Sequence, residues 1–244
     1  MIIGIAKAGF GGGIAIIAVP LTASALPRNA DIAIGIMLPI LMVGDFIAAY
    51  KHRGKWSWKH LRPLLWGAMI GVALGTAALL ALKQTTHLAT ALNLMIGGLC
   101  LLFVAAQMFR LFGGNLPHIP EGKAGGIGAG AAAGTVSTIA HSAGPVITIY
   151  LLEQKLKKET FVATMVMFFV VLNVAKVPSF LWLGFINART LPQSGVFALL
   201  VPVGVVIGMW MHKHIAEKPF TVIMYLAAAA AGAWMLFVGI RQLG

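Results

Sequence analysis

The sequence predicts an all-α polytopic membrane protein made of two inverted repeats. Three observations carry that prediction. The first is composition: 59% of the 244 residues are apolar and 10% are charged, where a soluble domain has about 45–50% and about 25%. So little charge cannot hydrate a folded particle of this size, which excludes a soluble enzyme, a disordered tail and a fibre. The second is a series of about 8 apolar segments, of which segments 1 and 5 are broken or re-entrant. The third is the placement of 18 Lys and Arg against 6 Asp and Glu, in short clusters between those segments. In a soluble chain a net charge of +12 would suggest nucleic acid. Interleaved with apolar runs it is the signature of membrane loops, and no nucleic-acid partner is expected.

A helix needs about 20 apolar residues to cross about 30 Å of hydrocarbon. Residues 1–26 are apolar but interrupted at Gly9-Phe10-Gly11-Gly12-Gly13 and again at Pro20. That glycine run, with no basic first region and no small-residue cleavage site, argues against a signal peptide. Continuous spans are predicted over 30–50, 61–82 and 88–112, the second flanked by Trp56, Trp58 and Trp66 as interfacial anchors. Residues 113–123 connect the two halves. Residues 124–152 are again apolar and interrupted, at His141-Ser142-Ala143-Gly144-Pro145. Spans over 160–184, 194–212 and 220–241 complete the chain. The lone Cys100 lies in an apolar run and cannot form an internal disulfide.

The order of these segments repeats, residues 1–112 against 124–244. Residues 10–21 align with 141–152, and each block leads through a basic turn into a span with one polar residue, Asp45 in the first and Asn173 in the second. Gly71 and Gly75 are matched by Gly204 and Gly208, each pair spaced for close helix contact. Charge decides the orientation. If both broken segments cross once, Lys and Arg divide nine to seven between the two sides, which is no bias. If each enters and returns on one side, the halves are inverted and twelve face one side against four on the other. The positive-inside rule selects the inverted arrangement, with both termini periplasmic and the loops at 51–60, 113–123, 153–159 and 212–219 cytoplasmic.

Inverted repeats with breaks at matching positions point to a secondary transporter whose site lies near the midplane. Irregular backbone at that depth must be buried in protein or line a cavity. Gly11, Gly12 and Gly13 free backbone N–H groups at the start of a half-helix, where the dipole favours an anion. The second break adds Ser142, Gly144 and, as first residue of the next half-helix, Pro145, with Ser137, Thr138 and His141 before it. Lys7 and Lys176 are the two cations that no loop accommodates. A charge at the bilayer centre costs at least about 2.5–3.5 kcal/mol, so it needs a partner or a watered cavity. Lys176 follows Asn173 by three residues and shares its helix face. The expected substrate site is therefore Lys7, Gly11, Gly12, Gly13, Ser137, Thr138, His141, Ser142, Gly144, Asn173 and Lys176. Asp45 is the coupling candidate, with a solvated carboxylate near the helix end as the competing reading.

No enzyme is expected. His212-x-His214 and the His52/His60 pair lack the acids or thiols of a metal site. There is no H-E-x-x-H and no G-x-S-x-G, and the glycine run does not follow a strand. No cofactor or metal is expected.

Lys7-Ala-Gly-Phe-Gly-Gly-Gly13, Val19-Pro20-Leu21, Arg28-x-Ala30, Leu38-Pro39 and Asp45, then Gly67-x3-Gly71-x3-Gly75, resemble the TauE/SafE family of bacterial sulfite and organosulfonate exporters. Ala132 to Val146 resembles that family's second repeat motif, and the likeness runs nearly end to end. It implies a transporter of sulfur oxyanions, small sulfonates or related acids in the bacterial inner membrane, working outward. It also implies a longer apolar segment ahead of the glycine run, where this sequence has eight residues before Gly9. The residues alone reach only an anion transporter, with a gated anion channel or a carrier of other small organic acids as the alternatives. The expected partners are a small anionic substrate and the lipid bilayer, with a homodimer as one possible assembly.

Overall fold

The computed structural model describes residues 30–111, 113–114, 122–214 and 217–243, together with Thr22. The expectations for the first broken segment, Lys7 and the glycine run included, lie outside the described residues. The described elements are all helices: α1 (Ala30–Lys51), α2 (Trp58–Lys83), α3 (Leu88–Leu111), α4 (Lys123–Ala140), α5 (Gly144–Glu153), α6 (Lys158–Trp182), α7 (Thr190–Ala198), α8 (Leu200–His214) and α9 (Glu217–Arg241). Among the described residues, four helices are long and apolar enough to cross a membrane: α1, α2, α3 and α6.

The second broken segment is as expected: α4 ends at Ala140 and α5 starts at Gly144. The span expected over 194–212 is not continuous. It is two helices, α7 and α8, meeting at Leu199. Pro202 explains the interruption, because it has no N–H to give and its ring would clash with the carbonyl of Ala198, four residues back. Hydropathy does not register backbone geometry, so a single proline leaves an apolar run continuous by composition.

Along its middle, helix α2 turns small residues inward and large apolar residues outward. On α2, Gly67, Ala68, Gly71, Val72 and Gly75 are buried, while Trp66, Ile70 and Leu74 are exposed. The buried glycines lie along α4, which answers with Gly126, Gly130 and Gly134. A Cβ at Gly67 would run into the Ile127 carbonyl, one at Gly71 into the Ala131 carbonyl, and one at Gly130 into the Leu64 carbonyl. Two helices whose backbones approach this closely gain dispersion contact that hydrophobicity alone does not supply between apolar segments in lipid. The sequence paired Gly71 and Gly75 with Gly204 and Gly208 as repeat mates. The contact they make is with the stripe on α4.

Two other contacts join the halves. Helix α3 runs against α9, with Gly97 facing Gly232, Phe103 edge-on to Tyr225 and Thr90 and Asn93 donating to Gln242 Oε1. Helix α1 runs against α6 and α7. Ser194 Oγ on α7 donates to the Ile36 carbonyl on α1, at 3.1 Å.

These contacts sort the connections into two ends. Lys55 pairs with Glu159 at 3.0 Å, and the Ser57 N–H donates to Thr164 Oγ1, so the α1–α2 turn lies beside the start of α6. The start of α4 and the end of α5 border one cavity with the start of α2. At the other end, Lys83 Nζ donates to the Leu183 carbonyl at 2.5 Å, joining the ends of α2 and α6. The α4–break–α5 segment therefore returns to the end from which it starts.

Candidate functional site

The break begins with a capping problem. The final carbonyls of α4 have no helical donors. His141 turns out of the helix in the left-handed region, at φ 50°, and its N–H donates to the Ser137 carbonyl at 2.9 Å. Ser142 Oγ donates to the Ala140 carbonyl at 2.8 Å. Helix α5 then starts at Gly144, with Pro145 inside its first turn. A non-glycine residue in this conformation is uncommon and is held only by its surroundings.

Those surroundings are polar and buried. Lys176 on α6 has no exposed surface. Its ammonium donates to Ser137 Oγ at 3.0 Å, to the Ser137 carbonyl at 3.2 Å and to His141 Nδ1 at 2.9 Å. Three protons meet three acceptors, which is what a charge removed from water requires. Because Nδ1 accepts, the ring proton sits on Nε2, which donates to the Ile34 carbonyl of α1 at 2.9 Å. The chain of contacts thus links α6, the α4–α5 break and α1. Phe180, one turn beyond Lys176, covers it. Its ring centroid is 5.9 Å from Lys176 Nζ and 5.6 Å from the His141 ring. A charged Lys176 and a charged His141 cannot both occupy this geometry, since Nδ1 would then turn a proton toward the ammonium.

One turn back on α6, Asn173 Nδ2 donates to Asp45 Oδ2 at 2.6 Å, and both residues are buried. The two polar residues assigned to repeat-related positions therefore touch, across the contact between α1 and α6. The reading of Asp45 as a solvated interfacial carboxylate is overturned: it is 2% exposed. Helix depth alone placed it near water, and packing against α6 removed the water.

The expected site residues divide as follows. Ser137, His141 and Lys176 come together, with Asn173 one turn back on α6 and Asp45 bonded to it from α1. Gly144 is buried at the start of α5. Ser142 lies at the break but spends its hydroxyl on the end of α4. Thr138 faces away: its Oγ1 donates to the Gly134 carbonyl at 2.8 Å, and its methyl side lies against Gly75 of α2. Lys7, Gly11, Gly12 and Gly13 lie outside the described residues. Phe180 and the Ile34 carbonyl were not foreseen. Phe180 was legible in principle, since 173, 176 and 180 share one helix face. A backbone acceptor has no sequence signal. Among the described residues no three His, Cys, Asp or Glu side chains come together to hold a metal.

A helical membrane protein with a broken apolar segment, and a buried cation at the break, belongs to the class of membrane transporters. The particular family follows from the sequence itself. The chain belongs to the sulfite exporter TauE/SafE family, whose family model matches residues 1–235. No curated protein and no solved structure matches the chain.

Proposed function

We propose that this chain exports a small sulfur-containing anion, sulfite or a sulfonate, across the bacterial inner membrane. The observation that carries the reading is Lys176, a fully buried cation held at a helix break among Ser137 and His141. A positive charge at that depth is costly, and a transported anion would draw on it. The family supplies the sulfur chemistry. The anion is met by the field of Lys176 and by the N-terminal end of α5, with Asp45 as the group that couples proton and anion movement.

The fold supports the inverted repeat, 1–112 against 124–244. Helix α1 packs on α6 and α3 on α9, each against its own repeat mate, and α1 packs on α7 as α2 does on α6. The basic connections gathered near the start of α2 support a cytoplasmic assignment for that end, and both termini are then periplasmic. Export of an anion is favoured by an inside-negative potential, by about 2.3 kcal/mol per charge per 100 mV. One polypeptide supplies every residue of this reading, and a homodimer adds nothing to it.

Counterflow in proteoliposomes tests the proposal. Sulfite or a sulfonate trapped inside should accelerate uptake of the labelled anion from outside, and the rate should saturate. Flux that never saturates and ignores trapped anion would replace the carrier with a channel. Counterflow driven only by small carboxylates would replace the substrate class.

A further inference from the structure

The basic end holds a cavity that the transport reading does not use. It has a volume of about 500 Å³ and lies between the start of α2, the start of α4 and the end of α5. Pockets of this size accommodate small ligands. Among the described residues, Lys59, Lys123 and Lys155 line it from three different elements, against one acid, Glu153. The first turn of α4 opens on it as well. Gly122, the residue that caps that helix, has no side chain to accept from the first-turn N–H groups, so the positive end of the helix adds to the lysines. Glu153 and the C-terminal end of α5 oppose this, but among the described lining residues three ammonium groups outweigh one carboxylate.

The cavity is separate from the break. Its floor is Tyr150, which is buried, and from Tyr150 back to Ala143 helix α5 is embedded in an apolar cluster with Leu61, Leu64 and Phe168. Seven residues of helix make about 10 Å of packed hydrocarbon between them. Its depth is set by Trp58, the first residue of α2, which is half-exposed and edge-on to Trp56 at 6.1 Å. Tryptophans in that position mark the headgroup level of a bilayer. Basic pockets between membrane helices at that level suit anionic head groups.

We propose that this cavity is a second anion site, taking a phosphate-type oxyanion and independent of the transport site. The phosphate comes either from an anionic lipid head group or from solution, and the two sources are separable. The full chain is placed in nanodiscs of phosphatidylcholine. Its unfolding temperature is followed with inorganic phosphate titrated in, and separately with phosphatidylglycerol added to the disc. A ligand that binds only the folded protein raises that temperature with concentration. A rise with phosphate identifies a soluble anion, and a rise with phosphatidylglycerol alone identifies the lipid. In either case the triple variant Lys59→Gln, Lys123→Gln, Lys155→Gln should need at least tenfold more ligand. Lys51→Gln, Lys157→Gln, Lys158→Gln removes equal charge outside the cavity and should bind as the parent does. Lys123→Gln alone, at an exposed position, should give about a threefold loss and covers the case of a triple variant that does not fold. No rise with either probe overturns the proposal. Equal weakening of both triple variants overturns it too, because bulk positive charge would then explain the binding.

Discussion

At the scale of single residues, Lys176 and Asp45 make opposite uses of burial. The Lys176 ammonium has all three of its protons accepted by Ser137 and His141, so an anion feels its charge without displacing a bond. Lys176→Met keeps much of the length and removes the charge. We expect insertion to be preserved and anion affinity to fall at least tenfold, about 1.4 kcal/mol, in a thermal-shift titration. Unchanged affinity would remove Lys176 from the site. For Asp45 the pairing with Asn173 makes the test clean. In Asp45→Asn two amides still hydrogen-bond to one another, so the α1–α6 contact survives while the carboxyl group is removed. The variant should bind anion as the parent does, yet its net transport in proteoliposomes should no longer vary with pH. A parental pH profile would leave transport driven by membrane potential alone.

At the scale of elements, the α2–α4 contact decides whether the break is held in place. It depends on the absence of side chains at Gly67, Gly71 and Gly75 and at Gly126, Gly130 and Gly134. A Cβ at Gly67, Gly71, Gly130 or Gly134 meets backbone, which cannot rotate away as a side-chain tip can, and one at Gly75 or Gly126 meets Thr138 or Pro63 and Tyr150. Overpacking of this kind costs about 1–3 kcal/mol for a first methyl group. Gly130→Ala should therefore lower the unfolding temperature and Gly130→Leu should abolish folding in detergent. Gly128→Ala, on the same helix with open space around its Cβ position, should be neutral. Equal effects at 128 and 130 would show that helix flexibility, not close approach, is what these glycines provide.

At the scale of the whole molecule, the two ends of the bundle differ in charge. Lys51, Arg53, Lys55 and Lys59 lie at the end where α1 passes to α2, with Lys155, Lys157 and Lys158 at the α5–α6 turn beside it. Lys83 and the Leu183 carbonyl mark the opposite end. Single cysteines at Ser57 and Gln154 should react with a membrane-impermeant maleimide only in inverted vesicles, and one at Thr85 only in intact cells. Labelling of Ser57 and Gln154 on opposite sides would show that α4 and α5 do not return to one face, and the inverted repeat would fall with it.

Composition, periodic interruption and charge placement determined the membrane class and the position of the α4–α5 break. These are legible because lipid acts on the chain residue by residue: each polar group and each cation is tested locally against hydrocarbon. The repeat likewise pointed to Asp45 and Asn173 as equivalent positions. That they touch was decided only by tertiary structure, since equivalence under a two-fold relation does not require proximity to its axis. The same holds for the interior of the site. Lys176 announced itself as a buried cation, but its acceptors are a carbonyl, a hydroxyl and a histidine ring from another helix. The Thr138 hydroxyl turned back into α4, although its spacing matched that of its neighbours. The glycines of α2 promised a close contact without naming α4, because a missing side chain specifies distance and not partner.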